Sequence, residues 1–365
     1  MQKQHRLFIW IFAGIILSGI SATTIPAQIY AQQTTINGAG ASFPFPLIDT
    51  WRVEYQNVNP DVIINYQSIG SGGGVKQFIE KTVDFGATDA PLTEEEEEKV
   101  PTAVHIPETI GSVVAAYNLP QIGDKELKLT GPILAEIFLG TITKWNDPKI
   151  AAINPEVELP PEPIVVVHRS DGSGTTFVWT DYLSNVSEAW NTQIGKGKSI
   201  QWPAGIGAPG NEGVSTSIKS TPNSIGYIEL SYALTTNTKA ASIENKEGNF
   251  IIPSLDSTKA AVSAAAANLP SGDESWTDIS IVNAPGADSY PVASFSYLLL
   301  YEDLSENSSI DENKAKDLVN FISWAITDGQ QFSSDLGYVT LPDEVVQLNN
   351  NTLKMLTFNG NPILQ

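Results

Sequence analysis

The chain of 365 residues contains no cysteine. This excludes disulfides, thiolate metal sites, a cysteine nucleophile and lipid attachment through an N-terminal cysteine. Histidine is nearly as scarce, with only His5, His105 and His168, too few for a multi-histidine metal centre. No metal or other cofactor is expected. Basic residues are few: 20 Lys and Arg stand against 41 Asp and Glu, a net charge of −21. Neither nucleic acid nor an anionic membrane surface suits such a chain as partner. Long apolar runs are lacking beyond the N-terminus, where Leu7 to Ile20 spans 14 residues, short of the roughly 20 of a membrane-spanning helix. Lys3, His5 and Arg6 precede it, and Ala22, Ala27 and Ala31 follow. Residues 1–31 therefore read as an export signal, cleaved after Ala27 or Ala31, or alternatively kept as an N-terminal anchor. The expected location is outside the cytoplasm, periplasmic or at the cell surface.

What is present is a loop-rich globular chain, 41% hydrophobic, with 28 Gly and 23 Pro, long enough for two lobes. Apolar β-branched runs alternate with helical spacing. Strands are expected at Thr34–Ile36, Asp61–Gln67, Val83–Thr88, Val104–Ile106, Ser112–Tyr117, Val165–Arg169, Ile225–Ile228 and Val292–Tyr301. Helices are expected after Pro44, from Val75, at Thr130–Leu139, Ser257–Leu269 and Glu312–Thr327, and within Leu341–Leu356. Thr93 with Glu96 reads as a capping box ahead of the run Glu94–Glu98. The alternation predicts an α/β architecture with mostly parallel sheets, in which ligands sit beyond the carboxyl ends of the strands.

The most informative stretch runs from Val165 to Phe177. A β-branched run ends at Arg169, a glycine turn follows, and Ser173 opens a helix. A helix N-terminus presents unpaired N–H groups and the positive end of the macrodipole. Ser173, Thr175 and Thr176 add hydroxyls, and Arg169 adds a planar fork. Together they suit a small anion, although an ordinary capped turn with a surface arginine accounts for the same residues. Two further strand–turn–helix units place Ser42 and Ser71 at equivalent points, and Asp89 closes a short strand. Without Lys3 and Arg6 the balance is 18 basic against 41 acidic residues, or −23. Salt limits that repulsion to about 8–10 Å, so local dipoles and one arginine set the potential inside a cleft.

A donor-rich site selects a tetrahedral oxyanion, and Asp89 narrows the choice. An ionised carboxylate only accepts hydrogen bonds. Beside sulfate it faces acceptors; beside hydrogenphosphate it accepts the P–OH proton. Each unpaired buried group costs about 1–3 kcal/mol, so Asp89 favours phosphate. Asp171 is expected to pin the Arg169 fork through a charge-assisted pair; a simple turn-forming role is the alternative.

Gly38-Ala-Gly40-Ala-Ser42-Phe43-Pro44, Ser68-Ile69-Gly70-Ser71-Gly72-Gly73-Gly74, Val83 to Pro91 and Arg169 to Thr175 occur in an order and spacing that resemble the phosphate-binding proteins of Pst-type ABC transporters. Trp202-Pro203, Asn211 to Gly213 and Gly226 to Glu229 extend the resemblance over nearly the whole chain. The resemblance implies a two-lobed periplasmic-binding-protein fold with a hinge and an interlobe cleft. Residues 32–117 plus 292–365 would form lobe I and residues 118–291 lobe II. It implies phosphate contacts at Ser42, Phe43, Ser71, Asp89, Arg169, Ser173, Gly174 and Thr175, the Phe43 and Gly174 contacts being backbone N–H groups. It implies a non-enzymatic, monomeric receptor that delivers phosphate to a membrane permease. Ser42 stands where threonine is usual, and His168 replaces a second basic residue.

Two other readings remain open at this level. An exported hydrolase acting on phosphate esters would need Ser173 as nucleophile and His168 as base, but Asp171 occupies the first glycine position of the Gly-x-Ser-x-Gly elbow. The same fold could also take another oxyanion, and arsenate carries the same proton as phosphate.

Overall fold

The computed structural model describes residues 33–263 and 269–364. The export segment at residues 1–31 lies outside the described residues. The elements, in chain order, are β1 (Thr34–Gly40), α1 (Phe45–Val58), β2 (Val62–Ser68), α2 (Ser71–Ile79), β3 (Phe85–Thr88), α3 (Glu94–Lys99) and β4 (Ala103–Asn118). There follow β5 (Lys128–Leu129), α4 (Gly131–Phe138), α5 (Pro148–Ile153), β6 (Val165–Arg169), α6 (Gly174–Val186), α7 (Glu188–Gln193), β7 (Ile206–Ala208), α8 (Gly210–Ser220), β8 (Ser224–Glu229) and α9 (Leu230–Thr236). The remainder comprises β9 (Lys239–Ala240), β10 (Ser242–Glu244), β11 (Phe250–Ile251), α10 (Leu255–Val262), β12 (Ala293–Tyr301), α11 (Glu312–Ala325), α12 (Asp343–Met355), β13 (Thr357–Phe358) and β14 (Asn361–Pro362).

One curled sheet organises the chain, in the order β2-β1-β3-β12-β4-β8-β6-β7, with β9 also on β4. β4 is the element common to both halves. Its first part, Ala103–Ser112, pairs with β12, and its second part, Val113–Asn118, pairs with β8. The sheet is mixed rather than mostly parallel. β1 lies parallel to β2 and β3, and β6 parallel to β7 and β8, whereas β12 and β4 run antiparallel to their neighbours. Apolar periodicity reports burial but not strand direction.

Ala103–Asn118 is one strand where the sequence suggests two. Pro107 and Gly111 break the apolar pattern, yet pairing continues through them with a register shift. Tyr297 faces Pro107 and Ser296 faces Thr109, which leaves Glu108 as the extra residue of a β-bulge. A bulge accommodates a proline inside a sheet and re-aims the inserted side chain.

The glycines also differ from expectation. Gly38 and Gly40 belong to β1, not to a turn, and Gly72–Gly74 lie inside α2. Close approach explains this: a Cβ on Gly74 would lie 2.3 Å from Gly40 Cα, and one on Gly38 would lie 2.0 Å from the Phe85 ring. α2 therefore packs directly on β1. The capping box of Thr93 and Glu96 opens α3. The helix expected at Ser257–Leu269 begins at Leu255 and is described to Val262; positions 264–268 lie outside the described residues. Among the described residues no helix is long and apolar enough to cross a membrane.

The core is continuous and rich in aromatic side chains. Trp179, Tyr227 and Trp202 stack near one another, with centroids 5.5 and 5.6 Å from Tyr227, and Phe138 packs edge-on to Trp179 at 5.3 Å. This cluster braces β6 and α6 from behind. The turn between them is thereby held against the end of the other half-sheet.

Candidate functional site

The turns that follow β1, β2, β3 and β6 converge at the carboxyl ends of those strands. Ser42, Ser71, Asp89, Arg169, Ser173 and Thr175 are all buried there, between 0 and 3% exposed. For an arginine and an aspartate this is unusual, because charged side chains are rarely buried without partners.

Arg169 ends β6, whose β-branched residues fill the sheet. Its Nε donates to Asp171 Oδ1 at 2.8 Å and its terminal nitrogen Nη2 to Asp171 Oδ2 at 2.5 Å, a bidentate fork. Burial pulls the Arg169 pKa down, but the hydrogen bond and charge of Asp171 outweigh it and the net shift is upward. Burial likewise works against ionised Asp171, and the same pair holds it below the usual carboxylate range. The Gly210 N–H adds a third bond to Asp171 at 3.1 Å. The second terminal nitrogen of the guanidinium, Nη1, turns inward to Thr175 Oγ1 at 3.4 Å.

α6 begins beside this fork. Ser173 is its N-cap, with Oγ accepting from the Thr176 N–H at 3.0 Å. Gly174 is the first helical residue, and a Cβ there would lie 2.5 Å from Ser71 Oγ and 2.6 Å from Asp89 Oδ2. Only glycine lets this helix end approach the opposing turn so closely. Thr175 Oγ1 reaches Asp89 Oδ2 at 3.4 Å. Ser71, the first residue of α2, accepts from the Asp89 N–H at 3.3 Å. Phe43 is fully buried, and its carbonyl accepts from Tyr338 Oη at 2.6 Å. The carbonyl of Ser42 accepts from Tyr232 Oη at 2.7 Å.

Asp89 is raised to about 7. Burial is the main cause, offset by the hydrogen bond from Ser296, the charge of Arg169 and the bond from Thr175. The site thus gathers hydroxyls, helix N–H groups and one guanidinium around the Asp89 carboxyl.

Three contributors were not singled out from sequence. Asn211, the second residue of α8, donates through Nδ2 to Ser42 Oγ and to Thr175 Oγ1, both at 3.0 Å, and its N–H also reaches Ser42 Oγ at 3.0 Å. It follows the glycine-rich turn Gly205–Gly210, so the strand–turn–helix logic that marks Ser42 and Ser71 extends to it. Ser296 on β12 and Glu108 on β4 support Asp89 from the far side. A lone carboxylate in the apolar run of β4 was the available signal.

His168 faces away from Ser173. Its ring stacks on Trp202 at 4.8 Å with 15° between planes, and Nδ1 lies 2.9 Å from the Arg169 carbonyl. With Ser173 committed to capping, the two form no nucleophile–base pair, and the hydrolase reading loses its residues.

The two sides of the cleft touch. Gly72 N–H donates to the Gly172 carbonyl at 2.9 Å. Lys198 pairs with Glu96 at 2.5 Å, both largely buried.

Comparison with known proteins agrees with this arrangement. A family described as a PBP superfamily domain matches residues 26–328. The chain is 45% identical over 334 residues to the phosphate-binding protein PstS of Pasteurella multocida, covering 92% of each. Among solved structures, a phosphate-binding protein from Stenotrophomonas maltophilia aligns with a TM-score of 0.66 at 18% identity, over 86% of this chain and 92% of that one. An ABC-type phosphate transport receptor from Vibrio cholerae aligns with a TM-score of 0.53 at 17% identity, over 84% and 100%. These structures share the two-lobed binding-protein fold with the described sheet. The chain belongs to the PBP superfamily and, within it, to the family of PstS phosphate-binding proteins.

Proposed function

We propose that this chain is an extracytoplasmic receptor that captures inorganic phosphate between two lobes and delivers it to an ABC-type permease. Ser42, Ser71, Ser173 and Thr175 would supply hydroxyls, Phe43 and Gly174 backbone N–H groups, and Arg169 its guanidinium, held in place by Asp171. The observation that carries the reading is the placement of Asp89. A buried carboxylate among donors has no favourable interaction with a fully deprotonated oxyanion, but it accepts the P–OH proton of hydrogenphosphate. The relative in Vibrio cholerae, described as a phosphate transport receptor of ABC type, supports the partner.

The lobes proposed are those read from the sequence, residues 32–117 with 292–365 and residues 118–291. The change of partner along β4 at Ser112–Val113 supports a first crossing slightly earlier than residue 117, inside a strand rather than after it. The start of β12 at Ala293 supports the second crossing. Residues 1–31 are proposed to export the chain, and the mature protein to act as a monomer.

Calorimetric titration of the mature protein (from about residue 32), unfolded and refolded to strip ligand, with phosphate, sulfate and arsenate tests the reading. One-to-one phosphate binding with sulfate silent is expected, and Asp89→Asn should weaken phosphate. Equal binding of phosphate and sulfate would remove the role given to Asp89. Arsenate binding as tight as phosphate would show that the proton, not the size, is selected.

A further inference from the structure

Behind Asp89 lies a second carboxyl group that does not face the cleft. Glu108 is 0% exposed and is the inserted residue of the β4 bulge. Ser296 Oγ, also fully buried, lies 3.0 Å from Asp89 Oδ1 and 3.0 Å from Glu108 Oε1. A serine hydroxyl has one hydrogen to donate. If both carboxyls were ionised, one of them would face a lone pair in a fully buried site, which is strongly unfavourable. The contact therefore requires a proton on one carboxyl.

The surroundings decide which one. Asp89 has Thr175 on its other oxygen and Arg169 nearby. Glu108 Oε2 has no hydrogen-bond partner among the described residues. Of the charged or titratable groups around the pair, Arg169 on β6 is the only cation among the described residues that acts on Asp89. Glu229 at the end of β8, Tyr66 on β2 and Tyr297 on β12 are the others, and each can add only negative charge. The remaining side chains reaching this part of β4, Gln330 and Asn349, are uncharged and donate to the carbonyls of Glu108 and Pro107.

We propose that Glu108 is held neutral and donates to Ser296 Oγ, that Ser296 donates to Asp89 Oδ1, and that this relay keeps Asp89 an ionised acceptor with Oδ2 turned towards the anion. Glu108 and Ser296 are thus positioning residues that determine specificity without touching the ligand. The inference rests on the phosphate-binding reading of the site. The direction of the shifts agrees: burial raises Glu108 to about 8, against about 7 for Asp89. Above that range Glu108 loses its proton, the relay has one hydrogen fewer, and a second negative charge lies behind the anion.

Two measurements test the relay. The first is phosphate affinity from pH 5 to 9 for the wild-type protein, Glu108→Ala, Glu108→Gln and Ser296→Ala. Glu108→Ala and Ser296→Ala should each lose about tenfold or more, as expected when a buried charged acceptor loses its donor. Glu108→Gln should restore most of that loss, since its amide N–H replaces the acid proton. It should also abolish the decline in affinity on the alkaline side. Superimposable pH profiles for wild type and Glu108→Gln would overturn the relay. The second measurement needs no ligand. Infrared difference spectra at neutral pH should show a neutral-carboxyl band, over and above any part removed by Glu229→Gln, that is lost in Glu108→Gln and kept in Asp89→Asn. Loss in Asp89→Asn with retention in Glu108→Gln would put the proton on the wrong residue and sink the proposal. A protein that binds no phosphate but shows the expected band would fail the functional reading while leaving the proton assignment standing.

Discussion

Gly72 and Gly172 meet backbone to backbone, with the N–H of one donating to the carbonyl of the other at 2.9 Å. The contact joins the start of α2 to the β6–α6 turn across the cleft. A Cβ on Gly72 would lie 3.0 Å from Gly172 Cα and 3.3 Å from its carbonyl oxygen, so a branched side chain cannot fit. Gly72→Val is expected to prop the cleft open and lower phosphate affinity by about tenfold or more, or roughly 1.4 kcal/mol. The melting temperature of the ligand-free variant should not fall, because valine is the better helix former. Calorimetry and thermal melting check both arms; undiminished affinity would mean that closure does not bring these two residues together.

Arg169→Lys keeps the charge but cannot reproduce the fork. It gives up the bidentate bonds to Asp171 and the approach to Thr175. Lysine is a hydrated point charge and adapts poorly to a buried planar site. Phosphate binding should weaken by about 1.5–3 kcal/mol, the range for hydrogen bonds to charged groups. A titration showing a change of less than twofold would leave Arg169 a structural residue only.

Three buried carboxyls give the protein a definite pH response. Asp89 is raised to about 7, and Glu108 and Glu229 to about 8, in each case mainly by burial. The folded chain holds these protons to higher pH than the unfolded chain does. Their contribution is full below the unfolded carboxyl range and is lost as pH rises through 7 to 8. The ligand-free protein should therefore melt at progressively lower temperature between pH 5 and pH 8.5. Glu229→Gln removes one of the three titrations and should reduce the slope by about a third. A melting temperature that rises over this interval would contradict the shifts.

His168→Ala separates the binding reading from the hydrolase reading. The ring stacks on Trp202 and faces away from Ser173. Removing it should cost about 0.5–1.5 kcal/mol of stability, the range for an aromatic pair beyond area burial, with phosphate affinity unchanged within about twofold (0.4 kcal/mol). Chemical denaturation and titration on the same preparation give both numbers.

The site residues that were legible in the sequence are those announced by local chemistry. Ser42, Ser71, Arg169 and Ser173 each sit where a strand gives way to a helix, and a glycine or a hydroxyl marks the turn. Asn211 escaped because its turn carries an amide instead of a hydroxyl. Glu108 and Ser296 escaped for a different reason. They are 188 residues apart and meet only through the pairing of β4 with β12, which no local pattern encodes. The same pairing conceals that Val104–Ile106 and Ser112–Tyr117 are one strand, since Pro107 and Gly111 look like punctuation until the bulge is seen. Strand direction was unreadable as well. Alternating apolar residues describe a pleat but not the sense in which a neighbour crosses it.

The position of β12 between β3 and β4 has a consequence for biosynthesis. The first three strands are complete by Thr88, yet the strand that must sit beside β3 does not begin until Ala293. Non-local pairing of this kind forms slowly and only after its loop-closure entropy has been met. A nascent chain can therefore pair β1 with β2 and β3, and β4 with β8, long before these two groups of strands can be joined. Until nearly the last fifth of the polypeptide has been made, β2, β1 and β3 lack the strand that joins them to β4 and the other half of the sheet.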